Sequence, residues 1–412
     1  MKVLRLEKTQ NQITRHLYEQ VFPEDEAAFL DYYYFIKARE NEILVIEEDD
    51  EIRSMIHLNP FKMSLNSFHF TGHYIVAVAT QKEYRKRGYM GKLLKESFEL
   101  LYKNKEPFTF LMPAAEAIYA PYDFRFIYNQ IKTRENISIV KFLLDDSNMK
   151  ESPNIKKSSQ RLENFTDIKI FCLDEATLSN GNELSAFFTN QVEKKYRTLC
   201  IHDEQYYQMM ILEQQAQNGG VKIVKYENQL IGSFAYSIDK EKIFIREFLI
   251  KNGFSDYIRD ILKTFIKEQL EKNPQLLELS IMGIENQDSL PFPIQQKPMI
   301  MARIIHLPTL LATLQVRERE VINCSIAILD SYITKNSRIW NLSNRQGEST
   351  VLVKETEDSQ AVITIGALTS FLFGYKTLDE IKSEPDVILS DFAVDELKKL
   401  QLFQPILLNE VV

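Results

Sequence analysis

The chain has 412 residues, with 50 Lys and Arg against 58 Asp and Glu, which gives a formal net charge of −8. Nucleic-acid-binding proteins usually carry a clustered basic surface, so this acidic balance argues against that class and suits cationic ligands. A hydrophobic content of 44% and a charged content of 26% are ordinary globular values and exclude disordered and low-complexity chains. At roughly 150 residues per domain, the length predicts two or three domains.

The cysteines and the apolar patterning predict a compartment. Cys172, Cys200 and Cys324 are far apart and lack C-x-x-C spacing, so neither a disulfide framework nor a zinc ribbon fits. The first eight residues alternate charged and apolar side chains, without the apolar core of a secretory signal. No stretch reaches the roughly 18 apolar residues of a membrane helix. These features predict a cytoplasmic protein without a membrane segment.

The first 150 residues predict alternating strands and helices, an α/β pattern. In chain order the predicted elements are a hairpin of strands 43–46 and 53–58 that ends before Pro60, a strand at 68–80, a helix at 91–103, a strand at 108–112, a helical turn at 114–119 and a strand pair within 126–144. The polar stretch 145–165 has no periodicity and predicts a linker.

Residues 151–290 repeat this order of elements, which suggests an internal duplication. Helices are predicted at 183–197, 204–217 and 255–270, and strands at 221–226, 230–237, 243–249 and 276–282. Pro291, Pro293 and Pro298 mark the next boundary, because closely spaced prolines keep a chain extended. Residues 291–412 then predict a third, α+β domain.

One stretch, residues 74–92 (YIVAVATQKEYRKRGYMGK), carries a candidate binding site. A strand ends at Thr80, a short polar loop follows, and Arg85-Lys86-Arg87-Gly88 precedes a helix. The unpaired N–H groups at a helix start bind anions, and Gly88 allows close approach of the backbone. A pyrophosphate is the ligand that this arrangement suits, although a solvated basic turn would read similarly in isolation.

The order of strand, Arg-x-x-Gly loop, helix, strand and then a small-residue segment bearing Tyr119 resembles the GNAT acyltransferases. Arg85 and Gly88 match their pyrophosphate motif, whereas Met90 stands where a second small residue is expected. Within that superfamily the chain is similar to the Eis-like (enhanced intracellular survival) aminoglycoside N-acetyltransferases, which consist of two GNAT-like domains followed by a sterol-carrier-protein-like domain. The resemblance covers essentially the whole chain and implies domains at 1–150, 151–290 (a degenerate GNAT-like domain) and 291–412.

The resemblance also implies contacts with acetyl-CoA as co-substrate. Backbone groups of one strand would hold the pantetheine arm, the following loop would hold the pyrophosphate, and a pair of alanines would add further contacts. These residues are Val78, Ala79 and Thr80, then Arg85, Lys86, Arg87, Gly88, Tyr89, Met90 and Gly91, and finally Ala114 and Ala115. The side chain of Arg85 is expected to orient the loop rather than touch phosphate.

The catalytic residues that the resemblance implies are Tyr119 and Val412. A phenol is protonated at neutral pH and can donate to a departing thiolate, so Tyr119 matches the family's acid. The family's base is the terminal carboxylate, here that of Val412 in an apolar tail expected to dock; Glu410 could supply a carboxylate instead.

Other expectations concern ligands and partners. A small-molecule amine is the expected substrate, and neither a nucleic acid nor a membrane is expected as a partner. No metal is expected either, because His69 and His73 occupy a strand-like segment without a carboxylate or cysteine that could complete a metal site. The second domain lacks the basic loop and is expected to bind no coenzyme. The resemblance implies a homo-oligomer, a hexamer. A non-catalytic protein that senses acyl-CoA or binds a lipid is the alternative.

Overall fold

The computed structural model describes residues 2–144, 171–283, 290 and 292–410. The chain divides into two compact units, one of Met1–Asn129, Glu193–Ile201 and Pro298–Val412, the other of Gln130–Val192 and His202–Lys297. The predicted linker at 145–165 lies outside the described residues, and the domain boundaries at 150 and 290 stay predictions. Among the described helices, none combines the length and the apolar character needed to cross a bilayer.

The elements of residues 2–144 follow the predicted alternation. They are β1 (Val3–Arg5), α1 (Arg15–Val21), α2 (Ala27–Phe35), β2 (Glu42–Glu48), β3 (Glu51–Leu65), β4 (Phe68–Thr80), α3 (Tyr89–Lys103), β5 (Phe108–Leu111), α4 (Glu116–Tyr119), β6 (Arg125–Asn136) and α5 (Ile137–Leu144). Strands β1 to β5 lie in sequence order in one sheet, antiparallel except for the parallel pair β4 and β5. The mixed α/β class is confirmed.

Two predicted elements in this region are wrong. Strand β3 does not end before Pro60 but continues to Leu65, with Pro60 paired to His73. Its pairing with β2 stops at Leu58, so a residue without an N–H is tolerated where only β4 is aligned with the strand. Residues 126–144 form one strand and one helix rather than two strands: Ser138 N–H donates to Asn136 Oδ1 (2.9 Å), a local bond that starts α5.

Helix α3 covers one face of this sheet. Its buried side chains Leu93, Leu94 and Phe98 pack against Ile56 and Leu58 of β3, among others. This is the helical spacing that the sequence predicted. The packing fixes the start of α3, at Tyr89, close to the end of β4.

The opposite face of β3 carries a buried histidine. His57 Nδ1 lies 2.9 Å from Tyr33 Oη, and its Nε2 lies 3.3 Å from Thr14 Oγ1. Tyr33 and Tyr34 of α2 are both buried, so these two aromatic side chains belong to the core. Complete burial lowers the pKa of His57 from 6.5 to about 3.

This histidine should make stability fall in mild acid. Below about pH 6.5 the unfolded chain binds a proton that the folded chain refuses, so stability rises with pH between about 3 and 6.5. We expect His57 to cost about 2 kcal/mol of unfolding free energy at pH 5 relative to pH 7.5. Denaturant unfolding at both pH values measures it, with His57→Gln as the comparison. An equal pH dependence in the variant would contradict the assignment.

The elements of residues 171–283 are β7 (Phe171–Glu175), α6 (Gly181–Phe188), β8 (Thr198–Cys200), α7 (Glu204–Ala216), β9 (Gly220–Tyr226), β10 (Gln229–Asp239), β11 (Lys242–Ile250), α8 (Ile258–Lys272) and β12 (Glu278–Met282). Apart from β8, they belong to the second compact unit. There β7, β9, β10, β11 and β12 are successive neighbours, and the sheet continues to β6. The buried face of α8, with Leu262 and Phe265, covers the core of this sheet.

The elements of residues 292–410 are β13 (Gln295–Ile304), α9 (Leu307–Ala312), β14 (Gln315–Val316), β15 (Asn323–Leu329), β16 (Ile339–Ser343), β17 (Leu352–Glu355), β18 (Ala361–Thr364), α10 (Ile365–Leu372), α11 (Leu378–Lys382), β19 (Ile388–Leu389), α12 (Asp391–Leu397), β20 (Leu400–Gln401) and β21 (Ile406–Leu407). Their sheet has the order β17-β16-β15-β18-β19, and every residue of α10 is buried. Antiparallel pairing of β13 with β5 joins this part to the first sheet.

The C-terminal tail docks by strand pairing. Strand β21 pairs in parallel with β8, which pairs in turn with the end of β3. Leu408, Asn409 and Glu410 beyond it are buried, and Tyr128 Oη donates to Asn409 Oδ1 (2.8 Å). The described part of the tail is therefore fixed against the first compact unit.

Candidate active site

A bulge interrupts the second half of β4. Met55 pairs with Ala79 and His57 pairs with Val76, so Ala77 and Val78 together face one residue of β3. The φ angle of Ala77 is +49°, a left-handed conformation that lets one extra residue enter the strand. A bulge bends a strand, so the end of β4 departs from the line of the sheet.

The parallel strands β4 and β5 separate after the pair that joins them. Strands β4 and β5 pair at Tyr74 and Phe110; β5 ends at Leu111 before Pro113, whereas β4 continues to Thr80. The last residues of β4 thus extend past the end of their neighbour. Their backbone groups on that side are placed to accept a strand-like ligand, which is how β-augmentation works. Val78, Ala79 and Thr80, all predicted to contact the coenzyme, occupy this segment.

The loop after β4 leads directly into the N-terminus of α3. Lys86 and Gly88 have φ angles of +64° and +79°, and Gly88 is the N-cap of the helix. Arg85, Lys86 and Arg87 are exposed, and α3 is 15 residues long, so cations and a helix dipole act at the same place. The basic loop therefore precedes a helix N-terminus, as the sequence predicted, and anion binding there stays a prediction.

The arginines of the loop also hold its shape. Arg85 Nε donates to Thr80 O (3.2 Å), which turns the side chain back onto the end of β4. Arg87 donates to Glu83 O (3.1 Å) and lies 4.5 Å from the centre of the Tyr84 ring. The Arg85 contact is the loop-orienting geometry expected for it. Lys86 is exposed and makes no hydrogen bond or ion pair with a described residue.

The carboxylate of Glu48 lies beside this loop and offsets part of its positive charge. This carboxylate accepts a hydrogen bond from Tyr89 Oη and lies 3.7 Å from Arg87 Nη1. That hydrogen bond raises the pKa of Tyr89. Met90 is half-buried and packs against the core beneath α3, so its bulk in place of a small residue is accommodated there.

Ala114 and Ala115 are exposed and follow the end of β5. Because β4 and β5 are parallel, their carboxyl ends lie at the same edge of the sheet. The two alanines, the end of β4 and the start of α3 consequently border one region.

Tyr119 ends the short helix α4 next to this region. It is 8% exposed, its ring packs against Phe124, and burial raises its pKa to about 12. A phenol in this setting keeps its proton at any physiological pH.

Tyr74 is a second buried tyrosine of this region. Burial raises the pKa of Tyr74 above its ordinary range, and the nearby Glu410 carboxylate and Tyr119 hydroxyl raise it further; Met112 N–H donates to Tyr74 Oη (3.1 Å) and opposes this. Glu410 is 4% exposed. The structure therefore places Tyr74 close enough to both Tyr119 and Glu410 to interact electrostatically with each, while Val412 lies outside the described residues.

Sequence reasoning missed Tyr74 and its neighbour Asn59. The two residues are direct partners across β3 and β4, so their side chains leave the same face of the sheet. Asn59 is fully buried, and neither amide atom hydrogen-bonds to a described residue. No local sequence pattern marks this pair, because only the register of β3 and β4 places Asn59 opposite Tyr74.

The second compact unit repeats the bulge but not the loop. Glu247 has a φ angle of +54° and, with Phe248, faces one residue of β10, as Ala77 and Val78 do in the first sheet. Tyr206 Oη donates to Glu247 (3.0 Å), and the ring of His202 stacks between Phe188 and Tyr206. Buried side chains fill the surroundings of this bulge, and α8 has an acidic Asp256 beside its start. Absence of coenzyme binding here stays a prediction.

Comparison with known families identifies the class of the two flanking domains. Residues 2–127 match the family model of an acetyltransferase (GNAT) domain, and residues 307–403 match that of a sterol carrier protein domain. The chain therefore has a GNAT acetyltransferase domain at its N-terminus and a sterol-carrier-protein-like domain at its C-terminus. No curated protein sequence matches it.

Solved structures with the same fold cover nearly the whole chain. A conserved protein of unknown function from Enterococcus faecalis V583, titled a probable N-acyltransferase, has a TM-score of 0.76, 16% identity, and 97% coverage of both chains. A GCN5-related N-acetyltransferase from Kribbella flavida has a TM-score of 0.71 and 13% identity, covering 98% of this chain and 95% of its own. Eis1 from Mycobacterium abscessus has a TM-score of 0.63 and 11% identity, with 97% coverage of both chains. At these identities the likeness is one of fold.

Proposed function

We propose that this protein is an acetyl-CoA-dependent N-acetyltransferase of the Eis-like kind, which transfers the acetyl group directly to a primary amine. The observation that carries the proposal is the juxtaposition of the splayed end of β4, the basic N-terminus of α3 and the buried phenol of Tyr119. These parts supply coenzyme binding and a proton donor at one edge of the sheet.

The proposed reaction needs no covalent enzyme intermediate. The acceptor nitrogen attacks the thioester carbonyl, a C–N bond forms and the C–S bond breaks. Tyr119 gives its proton to the departing sulfur and regains one from solvent before the next turnover. A backbone N–H at the open edge of β4 would stabilise the developing oxyanion. A carboxylate of the docked tail takes the proton that the amine releases.

Two carboxylates of the tail are candidates for this base, the side chain of Glu410 and the terminus at Val412. We favour Glu410, because its carboxylate is buried and interacts with Tyr74. A buried carboxylate also attracts and orients a cationic amine. Aminoglycosides, polyamines and lysine side chains all carry such amines, and the acidic net charge of −8 suits each of them.

The proposal extends to location and assembly. We propose a cytosolic homo-oligomer, a hexamer by resemblance to the Eis-like enzymes, without a metal ion. Free Cys172, Cys200 and Cys324 agree with a reducing compartment.

Thiol release from acetyl-CoA with a panel of aminoglycosides, polyamines and lysine peptides tests the activity. We expect turnover with at least one amine. Acetyl-CoA binding without turnover of any amine, together with apolar ligands that co-purify with the chain, would instead support the alternative of an acyl-CoA-sensing or lipid-binding protein.

The basic loop gives a second test, through Lys86. Replacing it by alanine should raise the KM for acetyl-CoA about two- to fivefold at low salt, because one cation is lost beside the helix N-terminus. The difference should shrink as salt screens the charge. Lys82→Ala removes an equal, exposed charge one turn earlier and serves as the control. Equal effects of the two variants would contradict a phosphate site at Gly88.

A further inference from the structure

A buried arginine of β13 hydrogen-bonds to the segment that follows Tyr119. Arg303 is fully buried, and its Nε donates to the backbone oxygen of Tyr122 (2.9 Å). Its Nη1 donates to Ile304 O (2.7 Å), and the guanidinium lies 4.5 Å from the centre of the Phe98 ring in α3. An arginine fork that is fixed on several sides presents its remaining donors in one geometry.

A turn of the sterol-carrier-protein-like domain holds this arginine. Arg303 Nη2 donates to Asp330 Oδ1 (2.6 Å), and both side chains are completely buried. Asp330 also accepts from the backbone N–H of Ile333 (2.8 Å) and from Asn336 Nδ2 (3.0 Å). A buried charge pair of this kind persists only when its other lone pairs are satisfied, as they are here.

The same turn reaches the Tyr119 segment a second time. Tyr332 Oη donates to Pro121 O (3.1 Å), and its ring lies 5.4 Å from that of Tyr122. The hydroxyl of Tyr122 lies over the start of α3, since a Cβ added at Gly91 would be 2.8 Å from it. Two consecutive carbonyls, two and three residues after Tyr119, are thus each fixed by a residue outside the segment.

Local structure alone is a weak constraint on Tyr119. Helix α4 has four residues and is followed by one short 3-10 turn, too little to be stable by itself. Displacement of a reacting group by about 1 Å can cost 10²-fold in rate. Whatever fixes the carbonyls of Pro121 and Tyr122 also fixes the phenol that precedes them.

We infer that Arg303, Asp330 and Tyr332 are positioning residues for Tyr119, and that the sterol-carrier-protein-like domain contributes to acetyl transfer by holding the acid in place. The inference rests on the acid role given to Tyr119 under the proposed function. In this role the sterol-carrier-protein-like domain contributes to acetyl transfer without binding a ligand itself.

A double-mutant cycle on the full-length chain tests the inference. Tyr332→Phe removes one hydroxyl and keeps the ring; we expect kcat to fall roughly fivefold, with the KM for acetyl-CoA unchanged. In a Tyr119→Phe background the same change should leave kcat unaltered, because the group it positions is gone. Arg303→Lys keeps the charge but loses the fork and should lower kcat further, by about tenfold or more.

The control is Lys335→Ala in the same turn. Lys335 pairs with Glu99 of α3 (3.6 Å) and contacts no part of the Tyr119 segment, so its replacement should leave kcat unchanged. Denaturant unfolding shows whether each variant is folded, and Tyr332→Phe keeps the test valid if Arg303→Lys does not fold.

Three outcomes would overturn the inference. An unchanged kcat in Tyr332→Phe would do so, as would an equal loss from this change in the presence and absence of the Tyr119 hydroxyl, which is what a merely structural role predicts. If Tyr119→Phe alone keeps the wild-type rate, the acid assignment fails first and the inference falls with it.

Discussion

Replacing Tyr119 by phenylalanine should lower kcat for acetyl transfer by roughly 10²- to 10⁴-fold, the range that general acids contribute. The change deletes one hydroxyl and keeps a ring that packs on Phe124, so the fold should persist. Without the proton donor, sulfur must leave as a bare thiolate. Thiol release at saturating amine measures kcat, and direct titration should show unchanged acetyl-CoA binding.

Two other tyrosines sharpen this test. Tyr102→Phe removes a hydroxyl from the same domain at the far end of α3 and should leave kcat within about twofold. Tyr122 competes with Tyr119 as the acid because both lie in the segment after β5. If Tyr122→Phe loses activity and Tyr119→Phe does not, the acid has been assigned to the wrong residue.

The pH profile offers an independent check on the same residue. Burial raises the pKa of Tyr119 to about 12, so its neutral, donating form is present below that value and is lost only as pH rises through it. We therefore expect no alkaline decline from this group between pH 8 and 10. A decline with an apparent pKa near 10 that disappears in Tyr119→Phe would contradict the burial of the phenol.

The elements that sequence predicted best are those set by local periodicity. Strand β4 has its predicted bounds, Phe68–Thr80, and α3 begins two residues before the predicted 91 and ends at the predicted Lys103. An alternating or helical pattern of apolar residues depends only on the sequence of the segment itself. The two errors within residues 2–144, at Pro60 and at 137–144, depended instead on which side of β3 was paired and on a single cap bond.

The parts of the candidate site also divide into those set by local sequence and those set by long-range strand pairing. The basic loop and the helix start after it were predictable, because Arg85 to Gly91 are contiguous in the sequence. Long-range pairing created the rest: β8 and β21 bring Glu410 to the first sheet, and register alone places Asn59 opposite Tyr74. The contact of Arg303 with Tyr122 O joins residues 181 positions apart, and no local pattern announces it.

The docked tail leads to the second large effect. Glu410→Gln should lower kcat by roughly 10²-fold or more, since the amide is nearly isosteric with the carboxylate but cannot accept the proton of the attacking amine. Acetyl-CoA binding should be retained, because Glu410 is not among the residues predicted to contact the coenzyme. Activity that rises steeply with pH in the variant, as the amine loses its proton to solvent instead, would agree with the loss of a base.

Moving the chain terminus distinguishes the side chain of Glu410 from the terminal carboxylate of Val412 as the base. Appending one glycine after Val412 displaces the terminal carboxylate and leaves Glu410 in place, so we expect a kcat within about threefold of the wild type. Val412→Ala keeps a terminal carboxylate in its original position and is the matched control. If the added glycine abolishes turnover while Val412→Ala and Glu410→Gln remain active, the terminal carboxylate is the base. Loss in Glu410→Gln alone assigns that role to the side chain, because the terminal carboxylate is unchanged in that variant.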